Sequence, residues 1–265
     1  MDNSKTIIVT GGTRGIGFAL VNSFLKSGCN VVFSGTSRKS VKDAKVKFDN
    51  LYPKDKSLGV VSNISKYEDS VRLIEKCVNA YNGLDIFINN AGVNQKGGVF
   101  SDLGPDDIEK VIQVNTIGSM YGALAALKFF KRQGSGSIYV MEGLGSDDRM
   151  VDKTVIYGTS KRAIRYFARA LAKENRKSGI IIGTLSPGMV ATDFLKNSLK
   201  NSDPTEAENT KKIFNVLADE ADDVAAFLCE KVLANKQKNP RFFWLTTAKS
   251  TGRFLLAPFR KRELF

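Results

Sequence analysis

The sequence contains no histidine. That absence removes Ser-His-Asp triads and most transition-metal sites, leaving tyrosine, lysine, carboxylates and cysteine to move protons. Cysteine is scarce as well. Cys29, Cys77 and Cys229 are far apart and lack metal-ligand spacing, so they read as reduced core or half-buried thiols in a reducing compartment, and no metal is expected. No apolar run approaches the roughly 20 residues that a membrane-spanning helix needs. Repeats and low-complexity linkers are missing too. Residues 1–9 show neither a charged-then-apolar signal layout nor an Arg/Ser-rich transit segment, although a chain stripped of its leader would look the same.

What is present is cationic: 40 Lys and Arg against 27 Asp and Glu, a formal charge of +13. Such a charge can serve nucleic acid, an anionic membrane or a polyanionic ligand. Here the cations are scattered and read mostly as a solvated surface, so no nucleic-acid partner is expected. Only the end concentrates them, from Lys236, Lys238 and Arg241 to Lys249, Arg253, Arg260, Lys261 and Arg262.

Strand-like and helix-like segments alternate. Strands are expected at Thr6–Thr10, Asn30–Ser34, Leu58–Ser62, Leu84–Asn89, Gly136–Met141, Gly179–Leu185 and Phe242–Leu245. Helices are expected at Arg14–Lys26, Lys39–Leu51, Glu68–Ala80, Pro105–Lys131, Thr154–Lys177 and Glu220–Ala234. Near-continuous apolar strands between helices indicate an α/β fold, a Rossmann-like doubly wound parallel sheet covered on both faces. One domain over 1–265 is expected. Residues 1–195 would form its core, and 196–265 a substrate lid, a helix and a basic aromatic tail. Ser186–Asn209, polar and broken by Pro187, Gly188 and Pro204, reads as the lid.

The first strand runs into Thr10-Gly11-Gly12-Thr13-Arg14-Gly15-Ile16-Gly17 as a helix begins. Glycines there let backbone amides approach a pyrophosphate, and the helix N-terminus adds partial positive charge. Further motifs follow in order: Asn89-Asn90-Ala91-Gly92, Asn115 in Gln113-Val114-Asn115, Tyr157-Gly158-Thr159-Ser160-Lys161, and Pro187-Gly188-Met189-Val190-Ala191-Thr192. Together they resemble the short-chain dehydrogenase/reductase family over roughly residues 5 to 195. The resemblance implies an oxidoreductase acting on a small-molecule carbonyl, with Tyr157 as acid/base, Lys161 on the nicotinamide ribose and Asn115 in a water-linked proton relay. Four residues apart, Tyr157 and Lys161 share one helix face. The cofactor would contact Gly11, Thr13, Arg14, Gly15, Ile16, Gly17, Asn90, Ala91, Gly92, Tyr157, Lys161, Pro187, Gly188, Val190 and Thr192. A homo-oligomer is expected.

The sequence departs from the family at the serine that meets the substrate oxygen, which usually lies about thirteen residues before the tyrosine. Here Met141-Glu142-Gly143-Leu144-Gly145-Ser146-Asp147 offers one nearby hydroxyl, Ser146, which is expected to fill that role; Glu142 should then face away from the nicotinamide. This stretch is similar to Met-Asp-Gly-Ala-Gly-Ser in the non-yellow-colouring chlorophyll(ide) b reductase branch, as is the basic aromatic tail. That likeness implies NADPH-dependent reduction of a ring formyl group to hydroxymethyl. The compartment is expected to be cytoplasmic, or a plastid if a leader has been removed.

NAD enzymes place an acid at the end of the second strand to bind the adenosine ribose. Here Gly35-Thr36-Ser37-Arg38-Lys39 has none. Arg14 with Arg38 or Lys39, aided by Thr36 and Ser37, suits a 2′-phosphate, so NADP(H) is the expected cofactor. Asn63, beside Ile64, stands where the family has an adenine-contacting Asp. In the tail, Phe242, Phe243, Trp244, Phe254, Leu255, Leu256 and Phe259 alternate with cations. Packing on the core or a second subunit is the favoured reading; peripheral membrane contact is the other.

Overall fold

The computed structural model describes residues 4–193, 195, 204–257 and 262–264. Seven strands form one sheet: β1 Thr6–Val9, β2 Asn30–Gly35, β3 Ser57–Val61, β4 Ile86–Asn89, β5 Gly136–Met141, β6 Ile180–Ser186 and β7 Arg241–Phe243. The order is β3-β2-β1-β4-β5-β6-β7, and every pairing is parallel. The chain winds outward from β1 to β3, then returns to place β4 on the other side of β1. That reversal opens a crevice beyond the carboxyl ends of β1 and β4, where such sheets take their ligands.

Strand periodicity divides the core in two. Ile7, Val9, Val31 and Phe33 pack under α1 (Gly15–Lys26), α2 (Arg38–Asp49) and α8 (Ala221–Ala234). Their alternates, Ile8 and Val32, face α3 (Tyr67–Tyr81), α5 (Ser119–Gln133) and α6 (Val155–Glu174). Both faces are apolar, as a doubly covered parallel sheet requires. All three cysteines are buried free thiols.

Three features differ from the expected elements. The long helix from Pro105 is divided into α4 (Pro105–Val111), a π-helical turn at Ile112–Gly118, and α5. Asn115 sits inside that turn, a distortion frequent at functional sites. In the polar segment after β6, Pro204–Leu217 forms a helix, α7; residues 194 and 196–203 of the expected lid lie outside the described residues. Near the chain end, Thr247–Leu256 forms α9, where Thr246 Oγ1 accepts from Lys249 N at 3.2 Å. β5 keeps its expected bounds, the other strand boundaries move by at most two residues, and β7 is Arg241–Phe243 rather than Phe242–Leu245.

The tail is packed in part. Phe242 stacks on Tyr139, and Trp244 lies edge-on to Phe227. The Asp219 carboxylate accepts from Trp244 Nε1, from Arg253 Nη2 at 2.8 Å and from Arg262 Nη2 at 2.9 Å. Phe254, Leu255 and Leu256 stay exposed, and Phe259 lies outside the described residues.

Candidate active site

Backbone builds one side of the crevice. Gly11 and Gly15 take φ of +67° and +55°, and α1 starts after Arg14 with no side-chain cap and no acid in its first turn. Its leading amides therefore suit an anion. Space is as tight as a dinucleotide turn demands: a Cβ on Gly17 would lie 2.2 Å from Gly11 O and 2.5 Å from Asn90 Nδ2. Asn90 Nδ2 donates to Thr10 O at 2.8 Å, while the N–H groups of Asn90 and Ala91 both donate to Thr10 Oγ1 at 3.0 Å, locking the β4 loop to the glycine loop. Thr13 packs against Gly35 at the end of β2.

Arg14, Thr36, Ser37 and Arg38 are exposed at the rim. Ser37 also caps α2, its Oγ accepting from Ser40 N at 3.1 Å. Lys39 pairs with Asp43 at 2.6 Å, which leaves Arg38 as the better phosphate partner of the two. Asn63 is exposed, its Oδ1 accepting from Ser65 N, while Ile64 is buried and packs on the π-helical turn at Gly118. On the far side, Gly188 has a φ of +71°, and Thr192 methyl lies against Gly15. Val190 bridges to Asp219, so the Pro187–Thr192 segment is held by the same residue that gathers the tail.

Side chains build the other face. Asn115, fully buried, receives Val93 N on Oδ1 at 2.8 Å and donates from Nδ2 to Val93 O at 2.9 Å and Ser160 Oγ at 3.0 Å. Ser160 Oγ in turn donates to Tyr157 O at 2.7 Å. A Cβ on Gly92 would fall 3.2 Å from Asn115 Oδ1 and 3.6 Å from Lys161 Nζ, so these three groups converge. Lys161 is buried, donates to Met141 O at 3.2 Å and lies 5.7 Å from the centre of the Tyr157 ring. Burial lowers the Lys161 pKa to about 8, against the pull of Glu142, which raises it. Burial also pushes the Tyr157 phenol above its ordinary value. A buried ammonium next to a phenol is a pair that can hand a proton to an oxygen and take it back.

Ser146 is buried, and its hydroxyl turns to backbone: Oγ accepts from Gly143 N at 3.1 Å and donates to Lys161 O at 3.3 Å. The residue that faces the Tyr157 hydroxyl is Gly143, where a Cβ would stand 2.5 Å from Tyr157 Oη. The Glu142 carboxylate forks onto Arg241 at 2.8 and 2.6 Å, with Arg165 at 3.8 Å.

Comparison with known proteins then places the chain. The model of the short chain dehydrogenase family matches residues 5–203. The chain belongs to the short-chain dehydrogenase family. Levodione reductase has the same fold, with a TM-score of 0.82 over 93% of this chain and 98% of the other at 23% identity. A Burkholderia cenocepacia short chain dehydrogenase solved in complex with NADP follows at TM-score 0.75 and 23% identity, covering 90% of this chain and 96% of that one. In sequence, the chain is 30% identical over 256 residues to the Oryza sativa subsp. japonica chlorophyll(ide) b reductase NOL, chloroplastic, covering 93% of this chain and 73% of that protein. It is also 30% identical to the rice probable chlorophyll(ide) b reductase NYC1, chloroplastic, over 91% of this chain, but spans only 50% of that relative.

Three residues of this dehydrogenase site escaped the sequence reading. Gln95, in the loop after Gly92, accepts from both Ile156 N at 2.9 Å and Tyr157 N at 3.0 Å. Ser160 stands inside the Tyr-x-x-x-Lys motif and links Asn115 to Tyr157. Gly143 was visible as a departure, but only its position in space shows that it faces the phenol. Among the described residues, no helix is long and apolar enough to cross a membrane, and no group of three or more Cys, Asp or Glu could hold a metal.

Proposed function

We propose that this chain is an NADPH-dependent carbonyl reductase with Tyr157 as its acid. The observation that carries the reading is the convergence of the Tyr157 phenol, the buried Lys161 ammonium and Asn115 beside a glycine turn with no room for a larger residue. NADPH, when bound, supplies the hydride that reaches the carbonyl carbon. Gly11, Thr13, Gly15, Ile16 and Gly17 would hold its pyrophosphate, and Arg14, Thr36, Ser37 and Arg38 its 2′-phosphate. Asn63 and Ile64 would flank the adenine. Asn90, Ala91, Gly92, Pro187, Gly188, Val190 and Thr192 would line the nicotinamide side. Tyr157 gives its proton to the substrate oxygen. Lys161 would stabilise the resulting tyrosinate and hold the ribose, and Asn115 would support the proton's return through water.

The Met141–Ser146 loop and the similarity to plant chlorophyll(ide) b reductases favour a tetrapyrrole formyl group as the carbonyl and a plastid as the compartment. Gly143 opposite the phenol favours a second reading, an NADP-binding protein without turnover, because the residue that faces the phenol there has no side chain to polarise the carbonyl. The test is NADPH oxidation with chlorophyllide b and with a panel of simple aldehydes and ketones, alongside direct NADPH binding. Conversion of chlorophyllide b to a hydroxymethyl product supports the full proposal. Turnover of simple carbonyls alone removes the tetrapyrrole. Tight NADPH binding with no turnover of any carbonyl selects the second reading.

A further inference from the structure

We infer that Gln95 is a positioning residue for Tyr157, gripping the catalytic helix by its first turn and holding the phenol without adding charge. This rests on the reading of Tyr157 as the acid. Helix α6 starts after Thr154 with no side-chain cap from that residue. Its leading amides are met instead from across the cleft, where Gln95 Oε1 accepts from Ile156 N at 2.9 Å and Tyr157 N at 3.0 Å. The far side of the same turn is held by Ser160, which donates to Tyr157 O at 2.7 Å and accepts from Asn115 Nδ2 at 3.0 Å. Asn115 closes back onto Val93, two residues before Gln95. The loop after β4 therefore holds Tyr157 at its amide and at its carbonyl, through one closed circuit.

The chemistry of Gln95 separates this role from simple helix capping. A helix N-terminus favours a carboxylate, since its dipole attracts negative charge. Gln95 is only 7% exposed, and its Nε2 has no hydrogen-bond partner among the described residues. With Oε1 taking two N–H groups, the amide cannot be reversed without setting donor against donor. A neutral cap with one end unsatisfied stands where a carboxylate would bond both amides equally well. The difference lies in charge: a carboxylate at the Tyr157 amide would oppose tyrosinate formation.

Charged groups on α6, after β5 and in the loop before α6 surround this point, with Asp152 and Lys153 directly preceding the helix. Lys161 on α6 has its Nζ 5.7 Å from the centre of the Tyr157 ring. Glu142 after β5 is paired with Arg241 and Arg165, Asp147 with Arg149, and Asp148 with Arg162. The π-helical turn Ile112–Gly118 carries no charged residue, and Lys96, next to Gln95, is exposed.

The test uses the full chain with NADPH and whichever carbonyl it turns over. Gln95→Leu should lower kcat by about tenfold to a hundredfold, as small misplacements of a reacting group do, with the NADPH Kd held within about twofold. Gln95→Glu keeps both bonds, so it should recover most of kcat while moving the alkaline limb of the reduction profile to higher pH, because the added charge raises the phenol pKa. A Gln95→Leu variant with wild-type kcat overturns the inference. So does a Gln95→Glu variant with an unmoved limb, which would mark a merely structural cap. Should Gln95→Leu unfold, the limb of Gln95→Glu decides alone. If Tyr157→Phe keeps the wild-type rate, the underlying reading fails instead.

Discussion

The proposed cofactor side and the proposed catalytic side of the crevice are made of different materials. Around Gly11 to Gly17 and the end of β2, the chain offers backbone amides, glycine clearance and exposed cations. Around Tyr157 it offers buried polar side chains, each bonded to the next: Asn115 to Ser160, Ser160 to Tyr157 O, and Lys161 to Met141 O. Below them Glu142 is buried against Arg241. The contrast follows from the task. A pyrophosphate needs many amides pointing one way, which a helix start provides locally. A proton donor needs a fixed position and a tuned charge, which only surrounding side chains provide. Changes on the catalytic side should therefore damage rate and stability. Changes on the cofactor side should damage affinity and discrimination.

Tyr157→Phe tests that division most severely. It should lower kcat by about 10²–10⁴-fold while NADPH binding, read by fluorescence or calorimetry, stays near the wild type. A matching loss of NADPH affinity would erase the distinction between the two sides.

Glu142→Ala should act on stability. Removing the carboxylate leaves Arg241 and Arg165 facing each other without their shared anion, and one-sided loss of a buried pair costs about 3–5 kcal/mol. Denaturant unfolding with and without NADPH measures it. A loss under 1 kcal/mol would mean that water or another acid replaces Glu142.

Lys161 gives a pH signature. Its folded pKa of about 8 lies below the ordinary 10.5, so between those values the unfolded chain holds a proton that the folded chain has released. Stability then rises with pH. The burial cost is present in full below pH 8 and is relieved by about pH 10.5. Compared with Lys161→Met, the wild type should gain about 2–3 kcal/mol across that window. Parallel stability curves for the two proteins would place the ammonium in a more hydrated setting.

The smallest effect belongs to the cofactor side. Arg38→Ala should weaken NADPH by about 1–2 kcal/mol and leave NADH almost unchanged, since an exposed cation on a phosphate is partly screened. Equal affinity of the wild type for both cofactors would remove the argument from the missing acid after β2.

Elements whose cause is local were legible in advance. The glycine turn, the apolar strands and the Tyr157/Lys161 spacing each depend on residues a few positions apart, so all seven strands lie within two residues of their expected bounds at each end, and the family could be read from ordered motifs. The split at Asn115 was not legible, because nothing in Ile112–Gly118 breaks a helical pattern. Nor were α7 and α9, whose polar and basic residues read as loop until Asp219 gathers Arg253, Arg262 and Trp244. Ser146 was chosen as the nearest hydroxyl along the chain, but its Oγ bonds Gly143 N and Lys161 O while Gly143 faces the phenol. Sequence distance does not report which way a turn aims its side chains.

By itself, then, the sequence determined the fold class, the glycine turn after β1 and the shared helix face of Tyr157 and Lys161, because helical period, strand alternation and glycine clearance act within one or two turns of chain. Tertiary structure alone decided how that pair is held. Gln95 reaches Tyr157 across 62 positions, Ser160 meets Asn115 across 45, and Arg241 meets Glu142 across 99. Hydrogen bonds and ion pairs over such separations exist only once the sheet has brought the ends of its strands together.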